Sequence, residues 1–296
     1  MTDFKEIELT DKKVFDDFFA EDPPRTSELT FTNLFMWRYR YQPVWSTRDD
    51  CLSIILRPVD QAPFGLPPVG PGNKEDALLR LSQKLQEVAP EPKISRVGKD
   101  FVDSYVDSDH YEIIYDRDNS DYVYLAENLI ELSGNKFHKK KNHVNKFKKN
   151  HDYEYQSLDE DLAESFLGLQ EDWCELKDCF ESPELLHEDR AIYEAISHFK
   201  ELGFKGGAIS IDSKVEAFAL GEPLNPDTAV IHIEKANPDI PGLYAAINQL
   251  FCAEEWSGVK YINREQDLGD LGLRQAKETY NPVGFVKKYK VFPSFG

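Results

Sequence analysis

The chain lacks the features that would tie it to a membrane or an oxidising compartment. No run of about 18 apolar residues occurs, the length a membrane-spanning helix needs, so no integral membrane association is expected. The opening Met1-Thr-Asp-Phe-Lys-Glu has neither the basic start nor the apolar stretch of a signal peptide, which predicts a cytoplasmic protein. Only four cysteines (Cys51, Cys174, Cys179 and Cys252) occur in 296 residues, with no CxxC pair and no metal-ligand spacing. A disulfide scaffold and a zinc ribbon are excluded, and the thiols are expected to behave as small buried hydrophobes. Bases are scarce too: 35 Lys and Arg against 54 Asp and Glu leave a net charge of −19. Such a chain repels polyanions as a whole, so any that it binds must meet a local basic island.

With 41% hydrophobic and 12% aromatic residues the composition is globular. The length suggests about two domains. Helical and alternating patterns are mixed throughout. In the first half, helices are predicted over Asp11 to Phe19 and Lys74 to Val88, and the aromatic stretch Leu29 to Tyr41 reads as a helix running into a strand. Strands are predicted at Cys51 to Leu56, Lys93 to Val97 and Tyr111 to Tyr115. Pro58 to Gly72, with five prolines and three glycines, is a loop by composition. The polar run Asp116 to Asp121 predicts a boundary between lobes covering 1–120 and 121–296.

The second half predicts helices over Leu125 to Leu132, Glu160 to Leu176 and Glu184 to Leu202. Three strands follow, at Gly207 to Ile211, Lys214 to Gly221 and Thr228 to Lys235. A helix (Leu243 to Trp256), a strand (Val259 to Asn263), a helix (Leu271 to Thr279) and a strand (Phe285 to Phe292) close the chain. The tight connections at Asp212-Ser213 and Pro223 to Asp227 make the three strands an antiparallel meander. This order of elements resembles a GNAT-type acyltransferase domain.

The basic island spans Gly134 to His151, GNKFHKKKNHVNKFKKNH, with seven lysines, three histidines and no acid. On a helix over 135–150, Phe137, Val144 and Phe147 share one stripe. Lys139, Asn142, Lys146 and Lys149 fall opposite, while Lys140 lands near the stripe and must snorkel or find a partner. A lysine ridge suits a phosphate-rich ligand; equally, it is what a solvated face balancing nearby acids looks like. The histidines have no matching acid or cysteine spacing, so no metal site is predicted.

This segment, with the strand Tyr153-Glu-Tyr after it, resembles the start of the second lobe in the phosphatidylglycerol lysyltransferase C-terminal domain family and, more distantly, in the Fem peptidyltransferases. Ser27-Glu-Leu-Thr-Phe-Thr-Asn-Leu-Phe-Met-Trp-Arg, His232-Ile-Glu-Lys-Ala-Asn and the stretch Ile262 to Lys277 are similar to its soluble branch. The resemblance spans nearly the whole chain. It implies an α/β (α+β) protein of two tandem GNAT-like lobes, each a mixed, mostly antiparallel sheet flanked by helices. Characterised relatives move an aminoacyl group from charged tRNA onto a lipid or a cell-wall peptide.

In GNAT-type lobes two central strands splay apart around the reacting group. By analogy these are Thr228 to Lys235 and Val259 to Asn263. Period two puts His232 and Glu234 on one strand face, about 7 Å apart, as a general base and its orienter or as a hydrogen-bonded structural pair. Asn263-Arg264-Glu265-Gln266-Asp267 follows at a strand's C-terminal end, the edge where α/β sheets bind ligands. Arg264 suits a phosphate or carboxylate, and Glu265 or Asp267 a proton, although Asp267 or Asp270 is equally placed to cap the next helix. Lys277-Glu-Thr-Tyr280-Asn-Pro resembles the family's lysine–aromatic–proline ending, which implies that Lys277 and Tyr280 contact substrate.

The acyl-CoA phosphate loop of GNAT proteins is missing. In its place stands Asn237-Pro-Asp-Ile-Pro-Gly242, where two prolines remove donors and Asp239 repels phosphate. Three functions are therefore weighed. The first is aminoacyl transfer from aminoacyl-tRNA, held through the basic helix, to an amine or hydroxyl on a small-molecule or peptide acceptor. The second uses acyl-CoA as co-substrate instead. The third is a non-catalytic protein that binds a small molecule or peptide in the same cleft. For catalysis Glu234 or Glu265 takes the acceptor proton, with Lys139, Lys146 and Lys149 holding donor phosphates. The first lobe, lacking a comparable polar cluster, is expected to be structural.

Overall fold

The computed structural model describes residues 4–159, 166–167 and 182–294. Its strands are β1 (Lys5–Glu6), β2 (Val44–Arg48), β3 (Cys51–Leu56), β4 (Phe64–Gly65), β5 (Ile94–Gly98) and β6 (Tyr111–Leu125). They continue with β7 (Tyr153–Ser157), β8 (Lys205–Ile211), β9 (Lys214–Asn225), β10 (Thr228–Ala236), β11 (Tyr261–Asn263) and β12 (Gly284–Pro293). The helices are α1 (Lys12–Glu21), α2 (Phe31–Met36), α3 (Arg38–Tyr41), α4 (Lys74–Val88), α5 (Lys99–Tyr105) and α6 (Ala126–Glu131). After them come α7 (His138–Asn150), α8 (Pro183–Ser197), α9 (Phe199–Leu202), α10 (Leu243–Glu255) and α11 (Leu271–Glu278). The predicted helix Glu160 to Leu176 lies outside the described residues, as do Cys174 and Cys179.

The chain forms two compact units. Unit 1 comprises residues 1–121, 266–269 and 285–296; unit 2 comprises 122–265 and 270–284. In unit 1 the strand order is β1-β2-β3-β4-β5-β12-β6, antiparallel at β1–β2, β2–β3, β3–β4 and β5–β12, with β4 and β5 parallel. The amphipathic stripe that predicts α4 buries Ala77, Leu78, Leu81 and Leu85 on the sheet, and Asn73 caps it by accepting from the amides of Glu75 and Asp76.

The run Asp116 to Asp121, read from the sequence as a boundary, is strand. It lies inside the 15-residue β6, with Asp116, Ser120 and Asp121 buried. Lysines of β12 neutralise it: Lys290 Nζ is 3.1 Å from Asp116, and Lys288 Nζ donates to Asp121 at 2.6 Å. Lys288, fully buried, also donates to both oxygens of Glu28 at 2.7 and 2.6 Å. Ser27 donates its hydroxyl and amide to Asp121 at 2.9 and 3.0 Å, and Arg96 comes within 3.5 Å of Glu28. Unit 1 thus contains a buried charged cluster, contrary to the expectation that it has none.

In unit 2 the order is β6-β11-β10-β9-β8-β7. β8, β9 and β10 form the predicted antiparallel meander, and Asp212 and Ser213 take the positive φ angles of a two-residue hairpin turn. β10 and β11 are parallel, joined through α10. The core beneath α10 gathers Ile247, Phe251, Cys252 and Trp256 against Tyr122, Tyr124 and Ile262. The basic island forms α7 as predicted: Val144 and Phe147 point inward with Phe137 just ahead of them, all buried. Both described cysteines, Cys51 and Cys252, are buried and unpaired.

Candidate active site

β10 and β11 stay in register only at Thr228↔Tyr261, Ala229↔Ile262 and Val230↔Asn263. Beyond that point β10 continues along β9, whereas the chain after β11 stays on β6, which β11 already pairs, the Arg264 amide donating to the Tyr122 carbonyl at 3.0 Å. The parallel strands therefore part, and polar side chains from both span the gap.

His232 and Glu234 do not pair with each other. A register irregularity between Ile231 and Ile233 on β10 shifts the phase at His232, as a bulge does, and re-aims its side chain. The imidazole Nδ1 lies 2.7 Å from Glu265 and Nε2 lies 2.9 Å from Glu222, with the side chain 2% exposed. Burial works to lower the His232 pKa, but the hydrogen bonds to Glu222 and Glu265 prevail and hold it at about 10. His232 is thus an imidazolium clamped between two carboxylates, not the general base that its strand position suggests. Asn263 fixes the partner: its Oδ1 accepts from the Glu265 amide at 2.8 Å and supports a φ of 56° at Glu265.

Because the folded pKa lies above the ordinary histidine value, the clamp's stabilisation is full below about pH 6.5 and is lost as pH rises through about 10. Urea midpoints of wild type should therefore fall toward those of His232→Gln between pH 6.5 and 10. A pH-independent gap between the two proteins would show that the imidazole is neutral.

Glu234 is held by Arg264 through Nε at 2.9 Å and Nη2 at 2.7 Å. The guanidinium lies 4.6 Å from the Tyr280 ring and 5.6 Å from the Tyr124 ring, and its buried Nη1 has no hydrogen-bond partner among the described residues. Burial pushes the phenols of Tyr280 and Tyr124 up, Tyr280 to about 12, so both stay neutral. Lys277 donates to the Arg264 carbonyl at 2.5 Å, and Tyr124 donates to the Lys277 carbonyl at 2.8 Å, which ties α11 to β6 and β11.

Lys140 resolves the problem posed by its place on α7. Its ammonium sits 3.9 Å from the centre of the Tyr280 ring. Burial, helped by Arg264 and opposed by Glu234, lowers its pKa to about 8. Lys139, Lys146 and Lys149 are exposed and make no ion pair among the described residues.

Asp267 does not join this group. It belongs to unit 1, fully buried, where it accepts from Arg117 at 3.0 Å and from the Gly269 amide at 2.9 Å. A buried carboxylate committed to a guanidinium and a turn leaves no role in proton transfer. Asp270 makes the helix cap, accepting from the Leu273 amide.

The sequence pattern did not single out Glu222, and it marked Lys140 only as a lysine in need of a partner. Glu222 carried a signal: it is a charge closing the apolar run Ala217-Phe-Ala-Leu-Gly, and such a charge needs a partner.

The loop before α10 has no phosphate cradle. Amides of Asn237, Asp239, Ile240 and Leu243 donate within the fold, and residues 238 and 241 are prolines. Gly242, at φ 91°, sits so close to α7 that a Cβ would lie 2.5 Å from the His143 carbonyl oxygen. Only glycine fits there, and α7 covers that end of α10.

The family model for the C-terminal part of phosphatidylglycerol lysyltransferase matches residues 20–292. A conserved protein of unknown function from Bacteroides thetaiotaomicron superimposes with a TM-score of 0.92 at 33% identity, covering 99% of this chain and 100% of that one. The C-terminal domain of a putative lysylphosphatidylglycerol synthetase from Agrobacterium fabrum gives a TM-score of 0.68 at 12% identity over 96% of this chain and 92% of that one, a likeness of fold. An uncharacterized protein of Mycoplasmoides gallisepticum is 25% identical over 186 residues, 61% of this chain but only 58% of that protein's length. Among the described residues no helix is long and apolar enough to cross a membrane. The mixed, mostly antiparallel sheets flanked by helices and the match over almost the whole sequence agree: the chain belongs to the phosphatidylglycerol lysyltransferase C-terminal domain family.

Proposed function

We propose that the protein transfers an aminoacyl group from aminoacyl-tRNA to an amine or hydroxyl of a small molecule or peptide. The observation that carries this is the pairing of a closed loop with an open lysine face. Of the backbone amides that would cradle a CoA diphosphate, those of Asn237, Asp239, Ile240 and Leu243 already donate within the fold and α7 packs against Gly242, while Lys139, Lys146 and Lys149 stand exposed, with no ion pair among the described residues, for a longer polyanion. Membership of a family named for lysyl transfer supports the same donor.

In this mechanism the acceptor's lone pair attacks the ester carbonyl carbon. Arg264 Nη1, the donor without a partner among the described residues, serves the carbonyl oxygen as charge develops on it. Glu265, bonded to His232, takes the acceptor proton. The carbon–oxygen bond to the tRNA ribose then breaks, and the proton passes from Glu265 to the departing oxygen. His232 and Glu222 hold Glu265 in place. Glu234 is the weaker candidate for the proton because Arg264 engages it twice. Lys277 and Tyr280 shape the site through Arg264.

Single-turnover transfer of radiolabel from aminoacyl-tRNA, with amines and short peptides as acceptors, tests this. Glu265→Gln should slow transfer at least about a hundredfold, the usual scale for a general base, while tRNA affinity changes less than about threefold. Unchanged transfer by the variant would remove Glu265 from the mechanism. Transfer from acyl-CoA but not from tRNA would overturn the donor.

A further inference from the structure

Unit 1 repeats the arrangement that builds the site in unit 2. Its parallel neighbours β4 and β5 meet at Gly65↔Ile94 and are joined through α4. Ligands of α/β sheets gather at the C-terminal edge of such strands. A cavity of about 540 Å³ opens there, walled by the segment after β4, by α5 directly after β5, and by β12. That volume lies within the range of small-molecule sites, about 300–1,000 Å³.

The lining has two characters. Pro67, Pro68, Phe101 and Phe285 supply flat apolar surface. Arg25, Lys74, Lys99 and Lys287 supply four cations against two acids, Asp22 and Asp100, in a chain of net charge −19. Both acids are already matched, Asp22 by Lys74 at 2.8 Å and Asp100 by Arg25 at 2.9 Å. Lys287 is exposed with no ion pair among the described residues, and Lys99 only reaches Asp103 on the surface, at 2.6 Å. An exposed pair of that kind contributes little, so an arriving anion can displace it. Thr26, 4% exposed, lines the same cavity, and its hydroxyl has no hydrogen-bond partner among the described residues.

The turn Gly70-Pro71-Gly72 ahead of α4 cannot receive a diphosphate. The Gly70 amide donates to Asp22 at 3.0 Å, the Gly72 amide to the Asp50 carbonyl at 3.1 Å, and those of Glu75 and Asp76 to Asn73. Recognition of an anion therefore falls to the side-chain cations.

We infer that unit 1 carries its own small-molecule site, for a carboxylate or phosphate borne on a flat apolar body. The ring lies against Pro67, Pro68 and Phe101, and the anion faces Lys99 and Lys287. This site is independent of the transfer chemistry in unit 2.

Calorimetric titration of the full chain with 1-naphthyl phosphate, 1-naphthoate, 1-naphthol and inorganic phosphate tests it. At least one naphthyl anion should bind with a submillimolar Kd, and the two controls at least about tenfold more weakly; which anion binds identifies the head group. Lys99→Glu with Lys287→Glu should weaken that binding at least about tenfold. Ser104→Trp, an exposed position on the cavity wall, should block it without altering the thermal midpoint. The site is refuted if neither anion binds below about 5 mM, if naphthol binds as well as the anions, or if neither variant changes the affinity.

Discussion

Changing Lys139, Lys146 and Lys149 to glutamate is expected to lower affinity for the proposed donor, aminoacyl-tRNA, at least about a hundredfold near 0.1 M salt. Each phosphate contact releases counterions and contributes about −0.7 to −0.9 to the slope of log K against log salt. Loss of three contacts therefore flattens the slope by about two to three, and the three new carboxylates add repulsion. The protein should remain folded, because all three lysines are exposed and the stripe of Phe137, Val144 and Phe147 that docks α7 is untouched. Filter-binding isotherms at four salt concentrations, beside a thermal melt, measure both effects. A loss of less than about threefold would mean that the lysine face only balances the surrounding acids.

Lys288→Met is expected to be the most damaging single substitution for stability. The lysine is fully buried, and its ammonium is the hub for Glu28, Asp121 and Ser27. Without it two buried carboxylates remain, and the cation left beside Glu28 among the described residues is Arg96, at 3.5 Å. Breaking a buried pair in this way costs about 3–5 kcal/mol. Burial already pushes the Glu28 carboxyl above its ordinary range, with Lys288 pulling it back, so the variant relieves itself by taking up a proton. The folded variant then binds more protons than the unfolded chain, and its stability deficit shrinks as pH falls from 8 to 5. Adding Glu28→Gln should restore part of the loss. Urea unfolding at both pH values reads these effects, and a deficit under about 1 kcal/mol at pH 8 would show that the cluster is not held by this lysine.

Features set by local pattern could be read from the sequence: the amphipathic α4, the meander of β8 to β10, and the α7 stripe. Those set by partners far along the chain could not. Asp116 to Asp121 reads as a polar boundary until Lys288 and Lys290 arrive from β12 to neutralise it within a strand. The cluster in unit 1 stays hidden for the same reason, since Ser27 and Glu28 lie far in sequence from Asp121 and Lys288. Period two placed His232 and Glu234 on one face, and one irregularity in β10 gave each a different partner. Arg264 and Glu265 were legible because a polar run at the end of a strand has few structural uses. Lys140 was legible only as a question, because the Tyr280 ring that receives it lies 140 positions further on.

The central claim is that the donor is aminoacyl-tRNA and not an acyl-CoA. Titrating the wild-type protein with aminoacyl-tRNA and with acetyl-CoA in the same buffer near 0.1 M salt tests it most directly. If aminoacyl-tRNA is the donor, the tRNA binds at micromolar concentration and more weakly as salt is added, and acetyl-CoA shows no saturable binding up to about 1 mM. Saturable acetyl-CoA binding with no tRNA binding at any salt concentration would contradict it.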